Sequence, residues 1–326
     1  MLEQKIFRRF PDTSTETLPQ LSLSLYAQQK KMWPLFSEGV KALDGIRTKV
    51  VECDTFSVRL QYNPKRIVSS GANIDAASIK ARKCFLSLEN LPSEQLGVLY
   101  QETFLVLCNP APIFPGHFTI SHIEHIPQSA EEYIIIFLDL AKDFSATHTI
   151  FYNGPKCGAS APDHMHFQAS PKNAVPIEYE AALESRKVFQ RSLGEVQMFT
   201  LRELGRAVIV LEGKKKQDME FSFLRLTGAM RSVMNVIEEP MMNVLCSYGD
   251  DQWRMIVFPR TKHRPDVYFK EGDEKVVISP AAVDIGGLIV TPVEKDFLHV
   301  DENMVRQIFQ EVSISNDMLM HIVQKM

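Results

Sequence analysis

The sequence has few cysteines and no long apolar run. An odd number of scattered cysteines argues against a disulfide framework and is typical of a reducing compartment. No apolar stretch approaches the ~20 residues of a transmembrane helix, and the N-terminus lacks the apolar run of a signal peptide. We therefore expect a cytoplasmic protein with no membrane partner. The 326 residues contain five cysteines: Cys53, Cys84, Cys108, Cys157 and Cys246.

The chain also lacks a strong charge of either sign. Its 36 Lys and Arg residues against 40 Asp and Glu residues give a net charge of −4 at pH 7, which does not support a nucleic-acid-binding surface. The P-loop, the Gly-x-Gly-x-x-Gly fingerprint and the Gly-x-Ser-x-Gly elbow are absent, so three common kinds of site are excluded. The length favours two domains or lobes.

The most informative segment runs from position 151 to 168 and reads FYNGPKCGASAPDHMHFQ. His164, His166 and Gln168 occupy every second position, with a methionine and a phenylalanine between them. Side chains alternate between the two faces of a β-strand. A strand here would present two imidazoles and a carboxamide on one face and would pack apolar side chains into a core with the other.

A turn of small residues, Gly158-Ala159-Ser160, precedes the histidines and would let backbone N–H groups approach an anion closely. A neutral imidazole brings no negative charge to a shielded phosphorus atom, and its pKa lies near neutrality. A His-x-His pair alone is more typical of packing or of metal chelation. The turn and the glutamine together favour nucleophilic catalysis at phosphorus.

This motif resembles that of the histidine-triad superfamily, in particular its two-module transferase branch. That branch includes galactose-1-phosphate uridylyltransferases, diadenosine tetraphosphate phosphorylases and GDP-L-galactose phosphorylases. The shared pattern is Asn-Gly, then a Gly-x-Ser turn, then His-x-His-x-Gln. The matching residues here are Asn153, Gly154, Gly158, Ala159, Ser160, His164, His166 and Gln168.

The resemblance implies roles for these residues. His166 would attack the α-phosphorus and hold the nucleotidyl group covalently, beside His164. Ser160 and Gln168 would bind phosphate oxygens, and the other turn residues would line the substrate site. Gln168 replaces the third histidine of the hydrolases, which favours transfer over hydrolysis. Relatives have two residues between the serine and the first histidine; this chain has three, which leaves the role of Ser160 open and places Asp163 beside His164.

The implied activity is that of a nucleotidyltransferase or phosphorylase. The donor would be a nucleoside diphosphate sugar or a dinucleoside polyphosphate, and phosphate or a sugar phosphate would accept the nucleotidyl group. Two alternatives stay open: a hydrolase of the same superfamily, and a nucleotide-binding protein without catalysis. The protein could act as a monomer or as a homodimer.

A polar segment, positions 63–95, is either a solvated loop or a nucleotide-recognition arm, with Arg66 and Arg82 as its candidate ligands to substrate. Within it, Cys84 and Ser87 stand where several relatives have the Cys-x-x-Cys of a structural zinc site. Serine is a poor zinc ligand, so we expect no metal cofactor. The alternative is a three-ligand zinc remnant made by Cys84, His117 and His164.

The expected fold class is α+β, with two histidine-triad-like modules related by pseudo-duplication and with helices packed on antiparallel sheets. Positions 1–62 form a helical segment and a first strand, positions 63–200 the catalytic module with its arm, and positions 201–326 a degenerate second module without His-x-His. A cationic cluster in the second half is either a solvated turn or a rim for substrate phosphates: Arg260, Lys262, His263 and Arg264.

Individual elements follow from periodicity and from turn signals. The predictions are a helical segment Leu18–Ile46 broken at Pro34, a strand Val50–Tyr62, a helix opened by a capping box at Ser129 and Glu132, a hairpin Met242–Phe258, a strand Val276–Ile278 and a helix Glu302–Val312.

Overall fold

The structure is a computed structural model that describes residues 1–11, 15–71 and 76–326. None of the helices within those ranges is long and apolar enough to span a bilayer. The described strands are β1 (Ile6–Phe10), β2 (Arg47–Cys53), β3 (Phe56–Tyr62), β4 (Gly97–Tyr100), β5 (Phe104–Cys108), β6 (Phe118–His122), β7 (His148–Asn153), β8 (His166–Pro171), β9 (Lys187–Leu193), β10 (Val196–Leu201), β11 (Ile209–Gly213), β12 (Met242–Gly249), β13 (Gln252–Pro259) and β14 (Leu288–Thr291). The helices are α1 (Leu18–Met32), α2 (Pro34–Ala42), α3 (Ile67–Ser70), α4 (Ala76–Ala81), α5 (Ile134–Asp143), α6 (Ile177–Glu180), α7 (Lys216–Met234), α8 (Ala282–Ile285), α9 (Glu294–His299), α10 (Glu302–Val312) and α11 (Asn316–Lys325).

Eleven strands form one continuous sheet in the order β1-β4-β5-β6-β8-β7-β12-β13-β11-β10-β9. All neighbours are antiparallel except β1 and β4. The two halves of the chain meet where β7 pairs with β12, and Asn153 lies opposite Asn243 in that register. The structure confirms the α+β class with antiparallel strands, and it shows that the strands of both modules share one sheet.

The two faces of this sheet have different coverings. Helices α1, α5, α7 and α11 pack on one face and bury its apolar side chains. Met165, Phe167 and Ala169 lie in that core with no exposed surface, so the alternation predicted for this segment is confirmed. His166 and Gln168 therefore point to the opposite face. Over the second half of the chain, that opposite face is covered by a separate core.

A small sheet, ordered β14-β3-β2, contributes to this second core. The predicted single strand Val50–Tyr62 is instead a hairpin of β2 and β3, because Asp54 adopts a left-handed conformation (φ 55°) that closes a turn. Strand β14 then pairs in parallel with β3. The N-terminal segment thus contacts both halves of the chain, since β1 pairs with β4 of the large sheet.

Helix boundaries follow the sequence in most places. The break at Pro34 is confirmed, since α1 ends at Met32 and Pro34 begins α2. The predicted helix Glu302–Val312 and the hairpin of β12 and β13 are also confirmed. The predicted strand Val276–Ile278 is wrong. Its N–H groups bond elsewhere, for example from Val277 to the Asp296 carboxylate at 2.8 Å.

The helix expected from Ser129 begins only at Ile134. The Ser129 hydroxyl does accept a hydrogen bond from the Glu132 N–H, at 3.4 Å. Glu239, from the second half of the chain, satisfies the preceding N–H groups: its carboxylate accepts the Ala130 N–H at 2.6 Å and the next N–H at 3.2 Å. The same carboxylate accepts the hydroxyl of Tyr152 at 2.5 Å, so one side chain connects α5, β7 and the loop before β12.

Replacing Glu239 with alanine should lower the free energy of unfolding by about 2–4 kcal/mol, because two backbone donors and a buried hydroxyl lose their acceptor. Urea unfolding would measure the change. Glu238→Ala is the matched control, since the Glu238 carboxylate forms an exposed ion pair with Lys156 and its loss should lower the free energy of unfolding by less than about 1 kcal/mol. Equal urea midpoints of unfolding for Glu239→Ala and Glu238→Ala would contradict the stabilising role given to Glu239.

Candidate active site

His166 begins strand β8, and a glutamine from the loop before α5 fixes its backbone. The Gln128 carboxamide accepts the His166 N–H at 2.8 Å and donates to the His166 carbonyl at 2.9 Å. It also donates to the Asn153 carbonyl at 3.0 Å. Gln128 therefore joins the ends of β7 and β8 behind the motif. Its sequence context gives no signal of this role, because the contacts span 25 and 38 residues.

The ring of His166 is held in one tautomer. Its Nδ1–H donates to the backbone carbonyl of His164 at 2.8 Å, so the free lone pair lies on Nε2. Burial lowers the pKa of His166 to about 4, and the imidazole is neutral at pH 7. The result is an oriented, uncharged imidazole whose Nε2 carries a lone pair.

His164 lies just before β8, which begins at position 166, and its ring contacts a different set of groups from the ring of His166. The His164 ring is fully buried. Its Nε2 lies 2.9 Å from the His122 carbonyl and 3.1 Å from the Ser121 hydroxyl, while its Nδ1 lies 3.3 Å from the Cys84 sulfur. His164 therefore acts on His166 through its carbonyl oxygen, with its ring in a separate cluster.

Gln168 is oriented by a second buried histidine. His117 Nδ1 accepts the N–H of Ile113 at 3.2 Å, so the ring proton lies on Nε2. That N–H donates to Gln168 Oε1 at 2.8 Å. Burial keeps His117 neutral by lowering its pKa to about 3. With its oxygen engaged, Gln168 has its NH₂ end left to donate to a ligand oxygen.

The turn of small residues packs against the second half of the chain. Gly158 has φ +88°, and a Cβ there would lie 2.6 Å from that of Ala281, so only glycine fits. Within the described ranges, the backbone N–H groups of Ala159 and Ser160 have no hydrogen-bond acceptor. Two adjacent free N–H groups can bind an anion.

Asn153 and Gly154 hold this turn in place. Asn153 Oδ1 accepts the Asn243 amide at 3.0 Å and the Ala282 N–H at 2.8 Å, and the Gly154 N–H donates to the Met242 carbonyl at 3.1 Å. The carbonyl end of the Asn153 side chain is thus committed to the second half. Contact of these two residues with substrate stays a prediction.

The arm reaches the site, although its positions 72–75 lie outside the described residues. Arg82 donates to the Ser160 carbonyl at 2.7 Å and lies 3.4 Å from Asp163, so it ties the arm to the turn. The Arg66 side chain is half-buried, and its guanidinium donates to the Ala111 carbonyl at 2.8 Å. Their contact with substrate also stays a prediction.

Residues 25–171 match the model of a domain of unknown function, DUF4922, and residues 182–326 match the model of the GDPGP1-like C-terminal domain. No curated protein matches the chain by sequence. The fold is similar to crystal structures of yeast Ap4A phosphorylase Apa2. The free form has a TM-score of 0.61 at 13% identity, covering 88% of this chain and 97% of that one.

Two further structures of the same yeast protein agree. Its complex with AMP has a TM-score of 0.58 at 15% identity, covering 89% of this chain and 96% of that one. Its complex with Ap4A has a TM-score of 0.61 at 13% identity, covering 90% and 96%. These matches agree with the two-module branch of the histidine-triad superfamily that the motif resembles. The recognition made from the His-x-His-x-Gln motif is confirmed.

Among the residues that the structure describes, one group of side chains could bind a metal: Cys84, His125 and His164, whose ligand atoms lie within 4.8 Å of one another. His117, the third ligand of the alternative zinc remnant, is not part of this group, because its ring nitrogens bond to the Ile113 N–H and to Gln168. The donor set suits zinc. The second nitrogen of His164 faces the His122 carbonyl, and Nε2 of His125 lies 3.1 Å from the Asp163 carboxylate, as is usual for metal-binding histidines.

Ser87 stands at the fourth position of this set. Its hydroxyl is buried and has no hydrogen-bond partner in the part of the chain that the structure describes. The residues therefore fit a three-ligand zinc site with the serine beside it. The absence of a resident metal stays a prediction.

The cationic cluster of the second module is not a single rim. Lys262 forms surface ion pairs with Asp266 and Glu311. Arg260 has no exposed surface, so the solvated-turn interpretation and the rim interpretation are both wrong for this residue. His263 lies against the turn: its Nδ1 accepts the Gly158 N–H at 3.4 Å.

His117→Phe should weaken binding of nucleoside monophosphates about tenfold or more, because Gln168 loses the group that fixes its amide and one charge-assisted donor is no longer oriented. Isothermal titration calorimetry would measure the change. His148→Phe is the matched control: His148 is also buried and donates to the Gly116 carbonyl, but it packs on Phe118 and Phe144 in the helix-side core. If both variants bind like wild type, Gln168 is not held by His117 in the way described.

Metal analysis tests the cofactor prediction. Because serine occupies a ligand position, we expect protein purified without chelators to contain well below one equivalent of zinc, and Cys84→Ala to leave that content unchanged. Inductively coupled plasma mass spectrometry would measure the content. One equivalent of zinc in the wild type that is lost in Cys84→Ala would overturn the prediction and assign the metal to Cys84, His125 and His164.

Proposed function

We propose that the chain is a nucleotidyltransferase or phosphorylase that works through a covalent nucleotidyl-histidine at His166. The donor is a nucleoside diphosphate sugar or a dinucleoside polyphosphate, and the acceptor is phosphate or a sugar phosphate. The observation that supports this most directly is the buried, neutral His166 ring, with Nδ1 tied to the His164 carbonyl and Nε2 free.

In the first step, His166 Nε2 forms a bond to the α-phosphorus as the bond from that phosphorus to the bridging oxygen breaks. The leaving group departs with the bonding electron pair, as a sugar phosphate from a nucleoside diphosphate sugar or as a nucleoside polyphosphate from a dinucleoside polyphosphate. The substituted imidazole then bears a positive charge, which the His164 carbonyl stabilises through Nδ1–H. In the second step, an acceptor oxygen attacks the same phosphorus and restores the neutral ring.

The surrounding groups stabilise charge on the phosphoryl oxygens. The Gln168 NH₂ and the free N–H groups of Ala159 and Ser160 are donors held in position before substrate arrives, which is the arrangement that favours a phosphoryl transition state. None of them accepts or releases a proton. They act by position and polarity alone.

Transfer is favoured over hydrolysis by Gln168, since a carboxamide cannot supply a proton to a leaving group or remove one from water. The named relatives agree with a nucleotide substrate, because the yeast phosphorylase structures of similar fold contain AMP and Ap4A. The base, the sugar and the acceptor are to be determined by experiment.

His166→Gly should abolish turnover while the protein stays folded. Intact-protein mass spectrometry after incubation with nucleoside diphosphate sugars and dinucleoside polyphosphates, without acceptor, should show an acid-labile nucleotidyl adduct on wild type only. The mass of the adduct would name the base. His299→Gly removes an exposed histidine at the end of α9 and should behave like wild type.

Product analysis with and without added phosphate separates the alternatives. Phosphorolysis predicts that phosphate raises the rate and changes the product. The same rate and the same nucleoside monophosphate in both cases would mean a hydrolase. Tight nucleotide binding with neither adduct nor product would mean a binding protein. Full activity of His166→Gly would rule out a covalent intermediate at His166.

A further inference from the structure

Arg260 is a fully buried cation without a bound carboxylate. Among the described residues, its guanidinium donates only to neutral oxygens, and its side chain has no exposed surface. Arginine is almost never fully buried unless it is paired with an anion. The acceptors are Val312 O at 3.0 Å, Asn243 Oδ1 at 2.5 Å, Pro280 O at 2.9 Å, Lys262 O at 3.1 Å and His263 O at 3.2 Å.

Another buried arginine of the same chain shows the usual arrangement. The Arg206 side chain is also fully buried, and it lies 3.4 Å from the Glu180 carboxylate. It packs over the ring of Phe309, with 4.6 Å from the guanidinium carbon to the ring centroid. Burial of a guanidinium in this protein therefore does not by itself require neutral partners, and Arg260 is the exception to be explained.

The buried carboxyl of Asp284 does not balance the local charge. Asp284 interacts with both Arg66 and Arg260, so one carboxyl faces two guanidiniums. It also accepts the Val290 and Ala281 N–H groups, and burial raises its pKa to about 6. The neutral imidazoles of this region add no charge. An excess of positive charge is left inside the protein.

This charge lies directly behind the turn at Gly158. Asn243 accepts from the Arg260 guanidinium and donates to the Cys157 carbonyl at 2.7 Å and to Asn153 Oδ1 at 3.0 Å. On the other side, the His263 carbonyl accepts from Arg260 while the His263 ring accepts the Gly158 N–H. Both routes from the guanidinium end on the turn that precedes His166.

We propose that Arg260 is the positioning residue of the phosphate site: the second module supplies the positive charge that the phosphate of a bound nucleotide neutralises, and Asn243 and His263 hold the turn at the right distance from it. This inference rests on the proposed function, because it assigns the missing anion to the substrate. It also gives the second module, which has no His-x-His, a role in the site of the first.

The test compares two variants of Arg260 that lose similar hydrogen bonds but differ in side-chain charge. Arg260→Lys and Arg260→Gln both lose most of the five hydrogen bonds, but only the first keeps the charge. Ligand-observed NMR titrations would use uridine, adenosine and guanosine 5′-monophosphates and the matching nucleosides. We expect Arg260→Gln to weaken the monophosphates by about tenfold or more, Arg260→Lys to recover much of that loss, and nucleoside affinity to change little.

Arg206→Gln is the control, since it removes an equally buried guanidinium that already has a carboxylate. It should lower stability without changing the ratio of monophosphate to nucleoside affinity. Equal monophosphate affinities for the Lys and Gln variants of Arg260, or a loss of nucleoside affinity that matches the loss of monophosphate affinity, would overturn the inference and leave the proposed function standing. No monophosphate binding to wild type would overturn the proposed function and this inference with it.

A second pair of variants covers the case in which Arg260→Gln does not fold. Asn243→Ala and Asn243→Asp both lose the two amide donations, but only the aspartate places a carboxylate beside the guanidinium. If the charge of Arg260 is what attracts the phosphate, Asn243→Asp should bind monophosphates more weakly than Asn243→Ala. The same or stronger monophosphate binding by Asn243→Asp would reject the inference.

Discussion

The pairing of β7 with β12 is the constraint on which the rest of the structure depends. It makes one sheet from the strands of two modules, so the strand that leads into the turn is fixed on one side by β8 and on the other by the second module. Asn153 and Asn243 face each other at the end of this pairing. The hydrogen bonds of these two amides fix the turn relative to the paired strands. They therefore also set where the free N–H groups of the turn lie relative to the His166 ring.

Burial then determines the chemistry of the histidines. His117, His166 and His263 all have pKa values lowered to between about 3 and about 4, with desolvation as the main cause in each. A neutral imidazole is at once donor and acceptor, and each ring here has its nitrogens assigned by neighbours. His166 has one nitrogen free for attack, while His117 uses both to orient Gln168. The same residue type thus has a nitrogen lone pair available in one place and is a fully bonded structural group in another.

The sequence predicts the nucleophile and the strand that bears Gln168, because those depend on local alternation and on a turn of small residues. It fails where the contacts are distant. The hydrogen bonds of the Gln128 and Glu239 side chains join positions 25 to 109 residues apart. No periodicity in the sequence predicts such contacts. The zinc-type cluster shows the same limit: the family resemblance suggested His117, but the path of the chain places His125 against His164, with their ring centroids 5.1 Å apart.

The buried charge of the second module extends this account to binding. A phosphate site made only of N–H groups and a neutral imidazole would have dipoles but no charge to oppose a dianion. A guanidinium placed at the surface would supply that charge, yet water and salt would screen it. Placing Arg260 inside, with every N–H contact on a neutral acceptor, keeps its field unscreened at the cost of stability in the empty protein. Since that cost is relieved when an anion binds, the degenerate module contributes to the site without contacting the substrate, and loss of its own His-x-His pair does not make it dispensable.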